Sequence, residues 1–280
     1  LETIICKNCQ NQFAGKYCNL CGEKVIEPRE KTVWHFFGKL LEAFTSSDNK
    51  FFRSLYFIVF KPGKLSYDFA QGLRKPYFPP LSLFLLANLI YFLFPVAETF
   101  NTRFETQLRA MPHSFIARQI VENRLKKQKI SLAALKAKYE PQSTNLAKTL
   151  LLLIVFLFAV PLYVLFYAKT SYFVEHLYFS FEFHSYNLFV NTIFLFYLLY
   201  PLVWTGDYFG LNIRPYLDND NFFSTIVLIS IIYFFSRGLF EFYQEKLLWR
   251  ILKIFVLIIS LFMILQSYRF ILFLATMMTI

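Results

Sequence analysis

The stretch from Leu150 to Ala168 sets the terms for the whole chain. It runs for nineteen residues without a charge, and only Pro161 interrupts it. At 1.5 Å per residue a helix of that length crosses about 28 Å, close to the hydrocarbon thickness of a bilayer. In lipid the backbone must satisfy its own polar groups, which leaves a helix as the form such a segment takes. Four further apolar blocks follow the same logic: Leu81 to Ala97, Leu188 to Trp204, Phe222 to Phe240 and Ile254 to Leu274. The expected fold is therefore an all-α integral membrane protein with about five transmembrane helices, four or six being the alternatives. Hydrophobic residues make up 56% and aromatics 21% of the chain. That is richer than a soluble domain and fits lipid-facing surface.

Ahead of these blocks stand the four cysteines, Cys6, Cys9, Cys18 and Cys21, arranged as two Cys-x-x-Cys pairs eight residues apart. Each pair presents two sulfurs on one side of a tight turn. Two pairs complete a tetrahedral site with no open position, the pattern of a structural Zn2+ ribbon. Gly15 lies between the pairs, where the chain must turn, and Gly22 follows the last cysteine. A core of some twenty residues is tiny, so the metal has to supply most of the folding free energy. Paired disulfides would need an oxidising compartment, and the first 30 residues show no apolar export signal. A thioredoxin-like redox pair would need a βαβ context, which is absent.

Residues 27–80 read as basic, amphipathic helices lying in the membrane interface. Val33, Phe36, Phe37, Leu40, Leu41 and Phe44 share one helical face. A second helix is expected from Phe51 to Phe60, capped by Asp48 and stopped by Lys61-Pro62-Gly63, and a third over about 64–72. Lys50, Arg53, Lys61, Lys64, Arg74 and Lys75 flank these faces. Apolar face plus basic border suits a helix at the headgroup level. Tyr77 and Phe78 stand where an interfacial aromatic belt is expected. The chain thus divides into a zinc ribbon (1–26), an interfacial segment (27–80) and a transmembrane region (81–280). That last region carries an extramembrane loop, residues 98–149, with helices expected from Ser114 to Lys129 and from Ser131 to Tyr139.

Zinc thiolates persist best in a reducing compartment, which places the N-terminus in the cytoplasm. The segments this places inside, 1–80, 169–187 and 241–253, carry 16 basic residues against 11 in the outside segments 98–149 and 205–221, which leans the same way by the positive-inside rule. The run Arg124, Lys126, Lys127 and Lys129 in the 98–149 loop opposes it.

One polar stretch stands out between the second and third blocks. Glu175, His176, Glu182 and His184 sit among aromatic residues from Tyr172 to Asn187. On a helix the two glutamates share a face and the two histidines lie within about a quarter turn. Ionisable groups in an apolar setting often serve a function, so these four form a candidate second polar site. The alternative is that they are ordinary interfacial residues satisfied by water, headgroups or one another. Asn187 and Asn191 extend the polar line. No His-Glu-x-x-His, nucleophile elbow, phosphate loop or dinucleotide fingerprint is present.

Three segments together resemble a family. They are Asp48-Asn49-Lys50-Phe51-Phe52-Arg53-Ser54-Leu55, Lys61-Pro62-Gly63-Lys64, and Gly72-Leu73-Arg74-Lys75-Pro76-Tyr77-Phe78-Pro79-Pro80. With the cysteine pairs, they are similar to a bacterial domain-of-unknown-function family of membrane proteins with an N-terminal zinc ribbon. The Tyr172 to Tyr186 stretch is similar to that family's Glu-His-Leu segment, which ends in a His-x-His pair. Glu182 stands at the first position of that pair here. The resemblance implies architecture and a bacterial inner membrane, and carries no activity.

The expectation is a non-enzymatic, membrane-anchored binding or scaffold protein, with the lipid bilayer and a protein docked on the ribbon as partners. A membrane enzyme or transporter built on the Glu/His cluster is the alternative. Nucleic acid ranks last, since the ribbon carries only Lys7, Lys16 and Lys24. Nothing in the residues sets an oligomeric state.

Overall fold

The structure is a computed structural model that describes residues 3–6, 10–15, 17–21, 48–93, 100, 102–170, 172–194, 201, 204–206, 208–210 and 220–280. It contains two compact units, Leu1–Phe51 and Phe52–Ile280. Cys9 and the helix expected over Val33 to Phe44 lie outside the described residues.

The first unit holds a two-stranded antiparallel hairpin, β1 (Ile4–Ile5) and β2 (Gln12–Phe13), with Ile4 opposite Phe13. The connection is a tight loop. The Cys6 amide donates to the Asn11 carbonyl at 2.9 Å, and the Gln10 amide returns to the Cys6 carbonyl at 3.0 Å. Gly15 turns the chain after β2 with φ of 114°, a conformation open to glycine. Among the described residues of this unit, Cys6, Phe13 and Cys18 form a buried cluster.

The second unit is helical. In chain order its helices are α1 (Asp48–Phe60), α2 (Lys64–Ala70), α3 (Pro80–Leu93), α4 (Phe104–Arg109), α5 (Ser114–Gln128), α6 (Leu132–Phe166), α7 (Phe173–Tyr186), α8 (Asp220–Tyr243) and α9 (Leu247–Thr279). A π-helical segment, Asn187–Phe194, continues α7 directly. The Lys61-Pro62-Gly63 break falls between α1 and α2, where proline and glycine chemistry demands it.

α6 and α9 form the spine. They run antiparallel: the Gln142 amide reaches the Thr279 hydroxyl at 3.4 Å at one end, and Lys253 Nζ sits 4.2 Å over the Phe166 ring at the other. α7 packs antiparallel along α6, with Phe173 against Tyr163 near the turn and the Ser180 hydroxyl donating to the Val155 carbonyl at 2.7 Å further from it. α3 fits beside both. Phe84 meets Phe181, and the Asn88 amide donates to the Lys148 carbonyl of α6 at 3.0 Å. Three apolar clusters follow one another along this spine, around Phe158 and Phe234, around Phe84 and Tyr268, and around Phe104 and Phe273.

Three helices are long and apolar enough to cross a membrane: Leu132–Phe166, Ser224–Tyr243 and Leu247–Thr279. The other two expected spans, Leu81 to Ala97 and Leu188 to Trp204, run in part through residues outside the described ones, at 94–97 and at 195–200, 202 and 203. α3 is apolar and is described over 14 residues, Pro80–Leu93. The block from Leu188 does not begin a helix, because α7 already runs through the polar stretch ahead of it. Aromatic residues on all sides let that stretch be buried: every residue from Phe179 to Tyr186 is inside.

The loop at 98–149 also differs from expectation. The helix capped by Ser131, whose hydroxyl accepts from the Ala134 amide at 3.2 Å, does not stop at Tyr139. It passes Pro141 and merges with the apolar block into one helix of 35 residues. A proline removes one donor but does not break a helix whose flanks are packed. Ser114 is the first residue of α5 rather than its cap, which is His113. Ala117 and Val121 of α5 pack against Leu135 and Tyr139 of α6 and Phe273 of α9, so this pair is anchored to the bundle.

Candidate functional site

The cysteine cluster comes first. The sulfurs of Cys6, Cys18 and Cys21 all lie within 4.8 Å of one another, and Cys6 and Cys21 are 3.5 Å apart. Tetrahedral thiolates at a Zn–S distance of 2.3 Å would be separated by about 3.8 Å. The donor set therefore fits a metal ion, and among the described residues it is the one group of three such ligands that does. The hairpin brings Cys6 to this point, and the turn after Tyr17 brings Cys18 and Cys21. Asn11 supports the site from the side, its amide donating to the Cys18 sulfur at 3.9 Å and to Asn19 Oδ1 at 2.8 Å.

The second site lies on α7. Glu182 is fully buried. Its carboxylate accepts the Gly63 amide at 2.7 Å, the Ser66 amide at 2.8 Å and the Ser66 hydroxyl. The first amides of a helix have no partner within it, and an anion at that end is favoured by the peptide dipoles. Glu182 thus caps α2 from another helix. Gly63 makes this possible with φ of 86°, pressed so close to Gly238 of α8 that an added Cβ would lie 2.7 Å from its carbonyl oxygen. Further along α2, Asp68 pairs with Lys64 at 2.6 Å and accepts the Tyr77 hydroxyl. Burial, reinforced by that carboxylate, pushes the Tyr77 hydroxyl well above the ordinary phenol range. Tyr77 is consequently a core residue, 7% exposed, and not part of an interfacial belt.

A family model described as "Protein of unknown function (DUF3667)" matches residues 48–92. The matched stretch takes in α1, the Lys61-Pro62-Gly63 turn, α2 and nearly all of α3. It includes both donors to Glu182 and leaves out Glu182 itself. No curated protein and no solved structure matches the chain.

The other three members of the Glu/His group go elsewhere. His176 is buried, with Nε2 3.1 Å from the Thr170 carbonyl and Nδ1 2.8 Å from the Tyr243 hydroxyl. A carbonyl can only accept, so Nε2 carries the proton and, in the neutral ring, Tyr243 donates to Nδ1. Glu175 accepts from the Thr170 hydroxyl. His184 donates from Nδ1 to the Ser180 carbonyl at 2.8 Å, and its buried Nε2 has no partner among the described residues. Its ring packs edge-on against both Phe158 and Phe183. Glu175 and His176 therefore share Thr170, while Glu182 and His184 serve separate places. Asn187 and Asn191 bond each other at 2.8 Å within one helix.

Sequence reasoning missed Ser66, Asp68, Gly238 and Tyr243. In the sequence Gly63 shows as a helix stop and as part of the Lys61-Pro62-Gly63-Lys64 segment, not as a donor to a distant carboxylate. The one available signal was that a glycine after Lys-Pro, followed by a serine three residues on, leaves amides in want of an acceptor.

Proposed function

We propose that this chain is a membrane-embedded binding protein whose cysteine cluster holds a structural zinc ion and whose ribbon docks a protein partner. The observation that carries this reading is the meeting of Cys6, Cys18 and Cys21 at metal-ligand separations, with Cys9 spaced to supply the fourth thiolate. Four thiolates leave no position for a reactive water, so such a site serves shape and recognition. The polar residues of the second unit support the same view. Glu182 and Asp68 are engaged in holding α2, and neither is part of a metal-ready cluster.

In this reading the protein resides in a bacterial inner membrane and crosses it several times, with the ribbon on the reducing, cytoplasmic side. The wider kinship over the cysteine pairs and the 172–186 stretch belongs to the same reading. So does the weak case for nucleic acid, given three lysines on the ribbon. The test is metal analysis of the full chain purified under reducing conditions. One zinc per chain is expected, lost in C6S or C18S. A preparation with no zinc ends the proposal. Cysteine labelling of the 98–149 loop on intact cells reports the orientation.

The alternative, an enzyme or transporter using Glu175, His176, Glu182 and His184, draws support from the buried Nε2 of His184, which has no partner among the described residues. It would show as a second metal equivalent, lost in His176→Ala.

A further inference from the structure

We propose that a cleft at one end of the helical bundle binds the phosphoethanolamine headgroup of a membrane phospholipid. The inference rests on the membrane-embedded reading above.

The cleft has a volume of about 250 Å³ and opens where four pieces of chain meet: the end of α2, the turn between α6 and α7, the first turn of α7 and the end of α8. Its polar lining comes from Gln71, Lys169, Thr170, Glu175 and Gln244, and aromatic lining from Tyr67, Phe242 and Tyr243. At about 30 Å³ for a water, the space holds a ligand of on the order of ten non-hydrogen atoms.

Three features select the ligand. Lys169 and Glu175 line the same cleft, yet among the described residues neither belongs to any ion pair. Glu175 uses one oxygen on the Thr170 hydroxyl, and its other oxygen takes no described partner. A simple anion would meet the repulsion of Glu175, and a simple cation that of Lys169. A molecule carrying both signs satisfies both.

The second feature is position. The last residue of α6 is Phe166, that of α8 is Tyr243, and α9 starts at Leu247. Two helices long enough to cross a membrane thus end at this cleft, and a third begins three residues beyond its lining residue Gln244. That is the level at which lipid headgroups lie and at which basic residues meet lipid phosphate.

The third feature is hydrogen bonding. A primary ammonium brings three donors to a carboxylate, and charge-assisted bonds are the strong ones. Phosphocholine has no N–H to offer, and phosphoglycerol has no cation. The phosphate falls to Lys169 with the Gln71 and Gln244 amides as further donors, and the ammonium to Glu175.

The experiment uses the full chain in nanodiscs of phosphatidylcholine doped with phosphatidylethanolamine. Retained lipid is counted by native mass spectrometry after release. Retention of phosphatidylethanolamine over phosphatidylcholine by about tenfold, roughly one charge-assisted bond, supports the proposal. Glu175→Gln, which still accepts from Thr170, should bring that ratio to parity. Lys169→Met should lower retention of both lipids. Equal retention of the two lipids, or a preference untouched by Glu175→Gln, overturns it. A parallel arm titrates soluble phosphoethanolamine into the protein in phosphatidylcholine discs. Binding in that arm without lipid selectivity overturns the lipid as the source. Failure of the chain to co-purify with discs at all would overturn the membrane reading itself, an outcome distinct from insertion without selectivity.

Discussion

The Glu182 carboxylate accepts the amide of Gly63 at 2.7 Å across 119 residues of sequence. With the two bonds from Ser66, it fastens the start of α2 to the middle of α7. This contact makes a turn that reads as a plain helix stop into a fixed part of the bundle core.

Removing that carboxylate should be costly. Glu182→Ala leaves two amides and a hydroxyl buried without an acceptor, each on the order of 1–3 kcal/mol. Glu182→Gln keeps one acceptor oxygen and should fall between wild type and Ala, while Ser66→Ala should lose about 1 kcal/mol. Thermal unfolding in detergent ranks the three. A Glu182→Ala protein as stable as wild type would show that the bond network contributes nothing.

Two glycines offer a matched pair. Gly63 and Gly72 both have φ of 86°, but a Cβ on Gly72 meets nothing within 4 Å, whereas one on Gly63 meets the Gly238 backbone at 2.7 Å. Gly72→Ala should therefore cost only the left-handed penalty, about 1–2 kcal/mol. Gly63→Ala must also move α2 from α8, and its melting temperature should drop well below that of Gly72→Ala.

Acid should loosen the end of the molecule where α4 and α5 pack. His113 is buried, with Nε2 2.6 Å from Gln107 Oε1. Burial, and secondarily the Arg269 guanidinium, holds its pKa below the ordinary 6.5. The unfolded form then binds the proton more readily, so stability is complete above about pH 6.5 and declines as pH falls toward the lowered value. Hydrogen exchange of α4 and α5 at pH 7.5 and 5.5 should show faster opening in acid. His113→Phe should flatten that difference, and an unaltered pH dependence in the variant would assign it to another group.

Chelation separates the two units. A strong zinc chelator, or Cys18→Ser, should abolish protease resistance of residues 3–21 and leave the melting of residues 52–280 within about 0.5 kcal/mol of wild type. Coupled loss of both would mean that the units do not fold independently.

Local chemistry in the sequence translated well into structure. Lys61-Pro62-Gly63 ended α1 at Phe60, and Ser131 capped α6, because both effects act within four residues. The cysteine spacing likewise announced a cluster that three described thiols form. What went unread depends on distance along the chain. Nothing near Tyr77 says that Asp68 will take its hydroxyl and draw it from the membrane surface into the core. Nothing near Glu182 says that its partners lie on α2. The break expected between Tyr139 and Leu150 failed for the opposite reason: Pro141 is a local signal, but α9 packs on α6 both before it, at Tyr139, and after it, at Ala147, and holds the helix through it. Likewise the Glu/His group shares a helix, and the neighbours that claim each member come from four different elements.

α6 has 35 residues and α9 has 33, or about 50 Å of helix each, against about 30 Å of hydrocarbon. Set upright in a bilayer, each would leave about 20 Å clear of lipid. The pair is thereby a pylon, and α4 and α5 are bolted to its overhang through Tyr139 and Phe273. A tilt of the two helices in a bilayer would be delivered at that far end as a sideways displacement, with Pro141 of α6 the point along the way where a helix hydrogen bond is missing.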